Sequence, residues 1–131
     1  MKNLKNLGFT GSRNGCTDAQ KTAIRRQIEI WQRRTDCGSF LHGDCLGADF
    51  DAHQIAIDMK MSVIKFPPTK GQFMAFCEGA ASSREPADYL KRNKNIVDEG
   101  QCLIACPNNE TGEILRSGTW SPIRYARKVN A

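Results

Sequence analysis

At 131 residues, 40% hydrophobic and 25% charged, the chain is long enough to bury a core without staples, and one domain over 1–131 is expected. No apolar run approaches the length of a membrane span, and Met1-Lys2-Asn3-Leu4-Lys5-Asn6 lacks the apolar stretch of a signal peptide, so a cytoplasmic protein without a membrane partner is expected. The 19 basic and 14 acidic residues leave a net charge of +5, which favours an anionic partner, nucleotide or nucleic acid.

Residues 4–10 predict a first strand, because Leu7, Gly8 and Phe9 run into Thr10-Gly11-Ser12-Arg13-Asn14-Gly15. Two glycines, two hydroxyls and an arginine suit that loop to a phosphate held by backbone N–H groups and a guanidinium. It is neither GxxxxGK[ST] nor GxGxxG. Thr17 and Gln20 then form a capping box ahead of Ile24, Ile28 and Trp31, which predicts a helix over 18–34 with Trp31 in its core stripe. Lys21, Arg25, Arg26, Arg33 and Arg34 read as its solvated face.

Ser39-Phe40-Leu41 is a second strand running into His42-Gly43-Asp44-Cys45-Leu46-Gly47-Ala48-Asp49. This turn packs two glycines and two carboxylates before a helix, whose unpaired N–H groups point back into it as an anion site. Ala48, Ala52, Ile55, Ala56 and Met59 give that helix an apolar face for a sheet. His53 lies on the same face as Asp49. Two ligands are too few for a metal, so His53 reads as a hydrogen-bonded surface histidine. A third strand over 61–66 is stopped by Pro67-Pro68.

Residues 69–85 are irregular, a lid or a long connection anchored by Phe73 and Phe76. Pro86 suits the first turn of a helix with Tyr89, Leu90, Asn93, Ile96 and Val97 facing inward and Gly100 at its C-terminal cap. Arg92 and Asn93 are its polar residues of interest, an arginine there being suited to a phosphate. A fourth strand, Cys102–Cys106, ends at Pro107. A polar loop leads to Ser117-Gly118-Thr119-Trp120 and a last helix ending near Lys128. Ser117, Gly118 and Thr119 would form a second anion cradle, with Trp120 stacking on a base or filling the core. The six cysteines form no CxxC pair and show no zinc spacing with histidine, so they read as buried thiols. No cofactor or metal is expected, beyond magnesium brought in by a phosphate ligand.

Strands alternate with helices throughout, which predicts a Rossmann-like three-layer α/β fold with a small, mostly parallel sheet of strand order 3-2-1-4. The glycine-bearing loops at Gly11, Gly43 and Gly118 would then meet at the carboxyl edge of the sheet, where open α/β sheets bind ligands.

Gly8-Phe9-Thr10-Gly11-Ser12-Arg13, the stretch from His42 to Asp49, and Ser117-Gly118-Thr119-Trp120 together resemble the SLOG superfamily, in particular its small single-domain YspA or cpYpsA-related branch. The likeness runs from Gly8 to Arg127. It implies a Rossmann-like fold that binds nucleotide-derived ligands, including ADP-ribose-like signals, and a homo-oligomer. Tyr89-Leu90-Lys91-Arg92-Asn93, Ala105-Cys106-Pro107 and Ser117-Gly118-Thr119 are similar to lonely-guy phosphoribohydrolases. That similarity implies a substrate-binding and catalytic role for Arg92 and a phosphate turn at Gly118-Thr119. Pro122 stands where that family has its glutamate, and the loop between Pro107 and Gly118 is longer. Gly11-Ser12-Arg13 and Gly47-Ala48-Asp49 also look like the DNA-processing protein A family, whose ligand is single-stranded DNA.

These features lead first to a protein that binds a nucleoside phosphate or ADP-ribose-like molecule as a sensor, a sequestering protein or a component of nucleotide metabolism. Thr10, Gly11, Ser12, Arg13, Ser117, Gly118 and Thr119 would hold phosphate, with Arg92 and Asn93 adding polar contacts. Gly43 and Gly47 would shape the turn, and Asp44 or Asp49 would accept from ribose hydroxyls. The alternative is a phosphoribohydrolase or ADP-ribose-type hydrolase using Arg92 and Asp44. A single-stranded nucleic-acid binder comes third, because no aromatic–basic interleaving is present.

Overall fold

The structure is a computed structural model that describes residues 4–69, 73–107 and 115–116. Its order is β1 (Lys5–Gly11), α1 (Asp18–Arg34), β2 (Cys37–His42), α2 (Ala48–Asp58), β3 (Val63–Lys65), β4 (Ser82–Ser83), α3 (Tyr89–Glu99), β5 (Cys102–Cys106) and β6 (Leu115–Arg116). The sheet runs β4-β3-β2-β1-β5-β6, with β6 antiparallel to β5 and every other pairing parallel. The Rossmann-like α/β class is as the alternation predicts. The strand order differs in detail. Two-residue strands extend both edges, and neither carries an apolar pattern that marks it in the sequence.

Local chemistry sets the helix ends. The Thr17 side chain accepts from Gln20 N at 3.1 Å while Gln20 Oε1 accepts from Thr17 N at 2.9 Å, satisfying N–H groups that have no partner within the helix. Gln20 Nε2 also donates to Pro107 O at 2.8 Å, which ties the start of α1 to the end of β5. At the other end Arg33 and Arg34 complement the helix dipole. α3 begins at Tyr89, so Pro86 precedes its first turn instead of lying in it; Asp88 is the cap, accepting from Lys91 N at 2.9 Å, and Gly100 is the C-cap.

Successive residues of a strand face opposite ways, and the core divides accordingly. Phe9, Phe40, Ile104 and Cys106 join Ile24, Ile28, Ala52 and Ala56 on the α1/α2 side. Leu41, Leu103 and Ala105 join Ile96 and Val97 on the α3 side. Leu90, read as inward, is 60% exposed, and Arg92 takes an inward place instead. Phe76 is no anchor either: it is 66% exposed. Among the described residues no helix is long and apolar enough to cross a membrane.

Candidate functional site

The turn after β2 sends its side chains to two different places. Gly43, Cys45 and Asp49 line a cavity of about 250 Å³ at the carboxyl ends of β1 and β2. Thr10, Gly11, Ser12, Arg13, Arg92 and Asn93 complete most of the wall, with Phe9, Tyr89 and Ile96. The structure therefore brings together eight residues singled out in the sequence: Thr10, Gly11, Ser12, Arg13, Gly43, Asp49, Arg92 and Asn93. Asp44 and Gly47 are not on the wall. Ser117, Gly118, Thr119 and Trp120 lie outside the described residues, as does the predicted last helix.

Arg92 is 5% exposed and fastens α3 to the ends of β2 and β3. Its Nη1 donates to Gly43 O at 2.6 Å and Phe66 O at 3.1 Å, and its Nε donates to Asn93 Oδ1 at 2.9 Å. The guanidinium carbon sits 5.0 Å from the centre of the Tyr89 ring. Among the described residues Nη2 has the soft contact to Cys45 Sγ at 3.7 Å, so this amino group retains donor capacity toward the cavity. Gly43 has to be glycine, because a Cβ there would collide with the Arg92 guanidinium and crowd Asp49 Oδ2.

Asp49, 6% exposed in the first turn of α2, uses one oxygen and leaves the other open. Oδ2 accepts from Gly43 N at 3.1 Å and Cys45 N at 3.2 Å. Oδ1 is buried with no hydrogen-bond partner among the described residues. Burial pushes this carboxyl up to about 6, against the opposing pull of Arg92 and of the two N–H donors. An unpartnered buried oxygen on a residue that lines a cavity is costly unless something else supplies its partner.

The loop after β1 differs from the expected N–H cradle. Ser12 N donates to Cys106 O, Gly15 N to Ser12 O, Asn14 N to Ser12 Oγ and Cys16 N to Asp51 Oδ2. Those four donors are spent on the loop itself and its neighbours. What the loop offers the cavity is the exposed Arg13, stacked 4.1 Å from the centre of the Phe73 ring. Gly47, with φ +89°, lies where a Cβ would meet the Arg13 backbone. Its role is to let the two loops pack, not to touch a ligand.

On the other side of the turn the polar groups are engaged, Asp44 Oδ2 by an ion pair with Lys65 and without a hydrogen bond among the described residues. Asp44 N donates to His42 Nδ1 at 2.9 Å, which puts the His42 proton on Nε2. That nitrogen lies 2.9 Å from His53 Nδ1, and His53 Nε2 lies 2.6 Å from Glu78 O. The result is a one-way chain: Asp44 N–H to His42, His42 N–H to His53, His53 N–H to a carbonyl. Burial, with His53, Lys65 and Arg92 nearby, lowers the His42 imidazole to about 3. Asp44 Oδ1 accepts from Cys77 N at 2.8 Å, and Lys65 Nζ lies 3.3 Å from Oδ2. The Cys77 thiol is pushed up to about 12, first by burial and then by Asp44. Asp44 therefore does not stand where a catalytic or ribose-binding carboxylate is needed. Its carboxylate is turned toward Lys65 and Cys77 and locks the connection after β3.

His53 is hydrogen-bonded as expected but wholly buried, not on the surface. His42, His53 and Cys77 place ligand atoms within 4.8 Å of one another, a donor set a transition ion accepts. The tautomer opposes it. A metal on His42 Nε2 would move the proton to Nδ1, directly against the Asp44 N–H, and two donors would face each other.

Cys45 and Tyr89 are wall residues that sequence reasoning did not single out. Cys45 lay inside the turn itself, and Tyr89 stands three residues before Arg92 on one helix face, a spacing that makes neighbours.

No family model matches the chain, and no curated protein matches it in sequence. Among solved structures it is similar to the molybdenum cofactor binding protein of the phototrophic bacterium Rippkaea orientalis, at 17% identity and a TM-score of 0.68, over 97% of this chain and 72% of that one. It is also similar to TM1055, a structural-genomics target solved by X-ray diffraction, at 10% identity and a TM-score of 0.55, over 78% of this chain and 60% of that one. At such identities the likeness shows the fold alone, an α/β Rossmann-like one.

Proposed function

We propose that this protein binds a nucleotide-derived ligand, a nucleoside phosphate or an ADP-ribose-like molecule, in the cavity between β1, the turn after β2 and α3. The observation that carries this reading is Asp49, a residue of the cavity wall whose buried Oδ1 has no hydrogen-bond partner among the described residues, together with Arg13 and Arg92 on the same wall. Two guanidinium groups favour an anion, and a buried carboxylate oxygen favours a hydroxyl or amine donor. A ligand carrying both, such as a sugar phosphate attached to a base, satisfies the wall. Two further considerations support it: the sequence resemblance to the SLOG superfamily, with the homo-oligomer it implies, and a structural neighbour that is itself a cofactor-binding protein.

A second reading has its own observation. A cavity carboxyl held near 6 can give or take a proton around neutral pH. Were the ligand cleaved at its N-glycosidic bond, Asp49 would serve in place of the Asp44 expected from the sequence, with Arg92 beside it.

Native mass spectrometry of the freshly purified protein, followed by chromatography of what denaturation releases, tests both. An intact nucleoside phosphate or ADP-ribose-like molecule supports binding. A free base with a ribose phosphate supports hydrolysis. An empty protein that neither binds nor turns over added nucleoside 5′-monophosphates and ADP-ribose overturns both.

A further inference from the structure

Cys16 and Cys106 are far apart in the chain, yet their sulfurs lie 3.1 Å from each other. They stand at the two ends of the loop that carries Ser12 and Arg13. Cys106 is the last residue of β5, fully buried and paired in register with Gly11, and its carbonyl accepts from Ser12 N where the loop leaves the sheet. Cys16 is where the loop returns, just before the Thr17 cap. Its N–H is held by Asp51 Oδ2 at 2.8 Å, and its side chain is half-buried against the core. Both ends of the loop are thus already fixed to the same place. The sulfurs need to approach by only about 1 Å to reach bonding distance.

We propose that Cys16 and Cys106 form a reversible disulfide with a low-molecular-weight disulfide as oxidant, clasping the neck of the loop over 12–15 to the end of β5. The half-buried Cys16 meets the oxidant first. Its thiol loses a proton, and its sulfur attacks one sulfur of oxidised glutathione, breaking that S–S bond and releasing one glutathione thiolate. Cys106 then loses its proton, and its sulfur attacks the Cys16 sulfur of the mixed disulfide, releasing the second glutathione. Two protein thiols are oxidised, one glutathione disulfide is reduced, and the two protons end on the two glutathione thiols.

Access sets this order of events, because Cys106 is fully buried and Cys16 only half-buried. The hydrogen bond between the sulfurs raises the Cys16 thiol and lowers Cys106; it is lost once Cys16 joins glutathione, and what then favours the second attack is that Cys106 already lies beside its target. Cys45 differs: it faces Arg92, and burial and Asp49 raise its thiol. Neither Cys16 nor Cys106 lines the cavity, so the bond forms or fails to form whatever the ligand.

The test is to incubate the full chain with oxidised glutathione and map the peptides without reduction. Fragmentation is needed because Cys102 and Cys106 share one tryptic peptide, 95–116. The expected result is a dominant Cys16–Cys106 crosslink that dithiothreitol removes, together with several-fold slower amide exchange over 13–15. In Cys16→Ser, and in Cys16→Ala as a second variant with its fold checked by circular dichroism, Cys106 stays a free thiol. Glutathione left on Cys16 with Cys106 unjoined, or Cys106 joined to another cysteine, would overturn the site. A crosslink that leaves exchange over 13–15 unchanged would overturn the clasp.

Discussion

The two faces of the turn from His42 to Asp49 make opposite use of the same ingredients. On one face His42, Asp44, His53 and Cys77 are all buried, and their polar atoms are matched to one another, to Lys65 or to backbone. On the other face Asp49 and Arg92 are equally buried, yet Asp49 Oδ1 has no hydrogen bond among the described residues and, unlike Asp44 Oδ2 with its Lys65, no ion pair among them either. A closed polar network stabilises and fixes a backbone; a network with one member missing is destabilising until a ligand completes it. The difference assigns structure to one face and binding to the other.

The largest effect comes from breaking the closed face. His42→Ala leaves Asp44 N–H and His53 Nδ1 without partners and opens a cavity in the core. It should destabilise the protein by about 3–5 kcal/mol in urea unfolding. A loss near zero would show that the chain through the two histidines contributes little. Acid should attack the same face. His42 is lowered from its ordinary 6.5 to about 3, so it takes up a proton on unfolding. Its stabilising contribution is whole above pH 6.5 and disappears as the pH falls toward 3, at a slope of up to about 1.4 kcal/mol per pH unit.

The two faces were not equally legible in the sequence. α1 was, down to its ends, because the Thr17–Gln20 box and the apolar spacing are local chemistry. The four main strands and the crevice at Gly11 and Gly43 were legible too, because alternation forces them. Burial of polar side chains was not. His53 read as a surface residue and Arg92 as a ligand-facing one, without its structural bonds, because their partners, His42 and the carbonyls of Gly43 and Phe66, are brought near only by the fold. Asp44 and Asp49 looked interchangeable as carboxylates of one turn. Asp44 has φ +55°, and the backbone turning there directs its carboxylate to Lys65, away from the cavity. Phe76 looked like an anchor because an irregular segment has no period from which to read a face.

A middle-sized effect separates the faces by pH. Asp49 is raised from 3.8 to about 6, so the unfolded chain ionises first and the penalty grows as the pH rises from about 4 to 6. Asp49→Asn keeps an oxygen for the Gly43 and Cys45 N–H groups and removes the charge. The variant should gain on the wild type by up to about 3 kcal/mol between pH 4 and pH 6, then hold that lead. In wild type this penalty offsets the His42 slope over the same window; in the variant the His42 slope stands alone. The same variant puts an NH₂ where Oδ1 was, so ligand affinity should fall while stability rises. A stability difference that stays flat with pH would mean that Asp49 is not held in its unfavourable charged state.

The smallest effect tests whether the open face is a binding surface at all. Arg13 is exposed and among the described residues its side chain stacks on the Phe73 ring, so Arg13→Ala should leave stability within about 0.5 kcal/mol of wild type. If a ligand phosphate lies on this wall, the same change removes a charge-assisted contact, and affinity should drop about tenfold, or about 1.4 kcal/mol. Titration calorimetry with the molecule identified by mass spectrometry measures it. Raising the salt concentration should weaken wild type more than the variant, because the lost contact is the most solvent-screened one. An unchanged affinity would move the anion away from the loop after β1 and leave Arg92 as the cavity's remaining cation among the described wall residues.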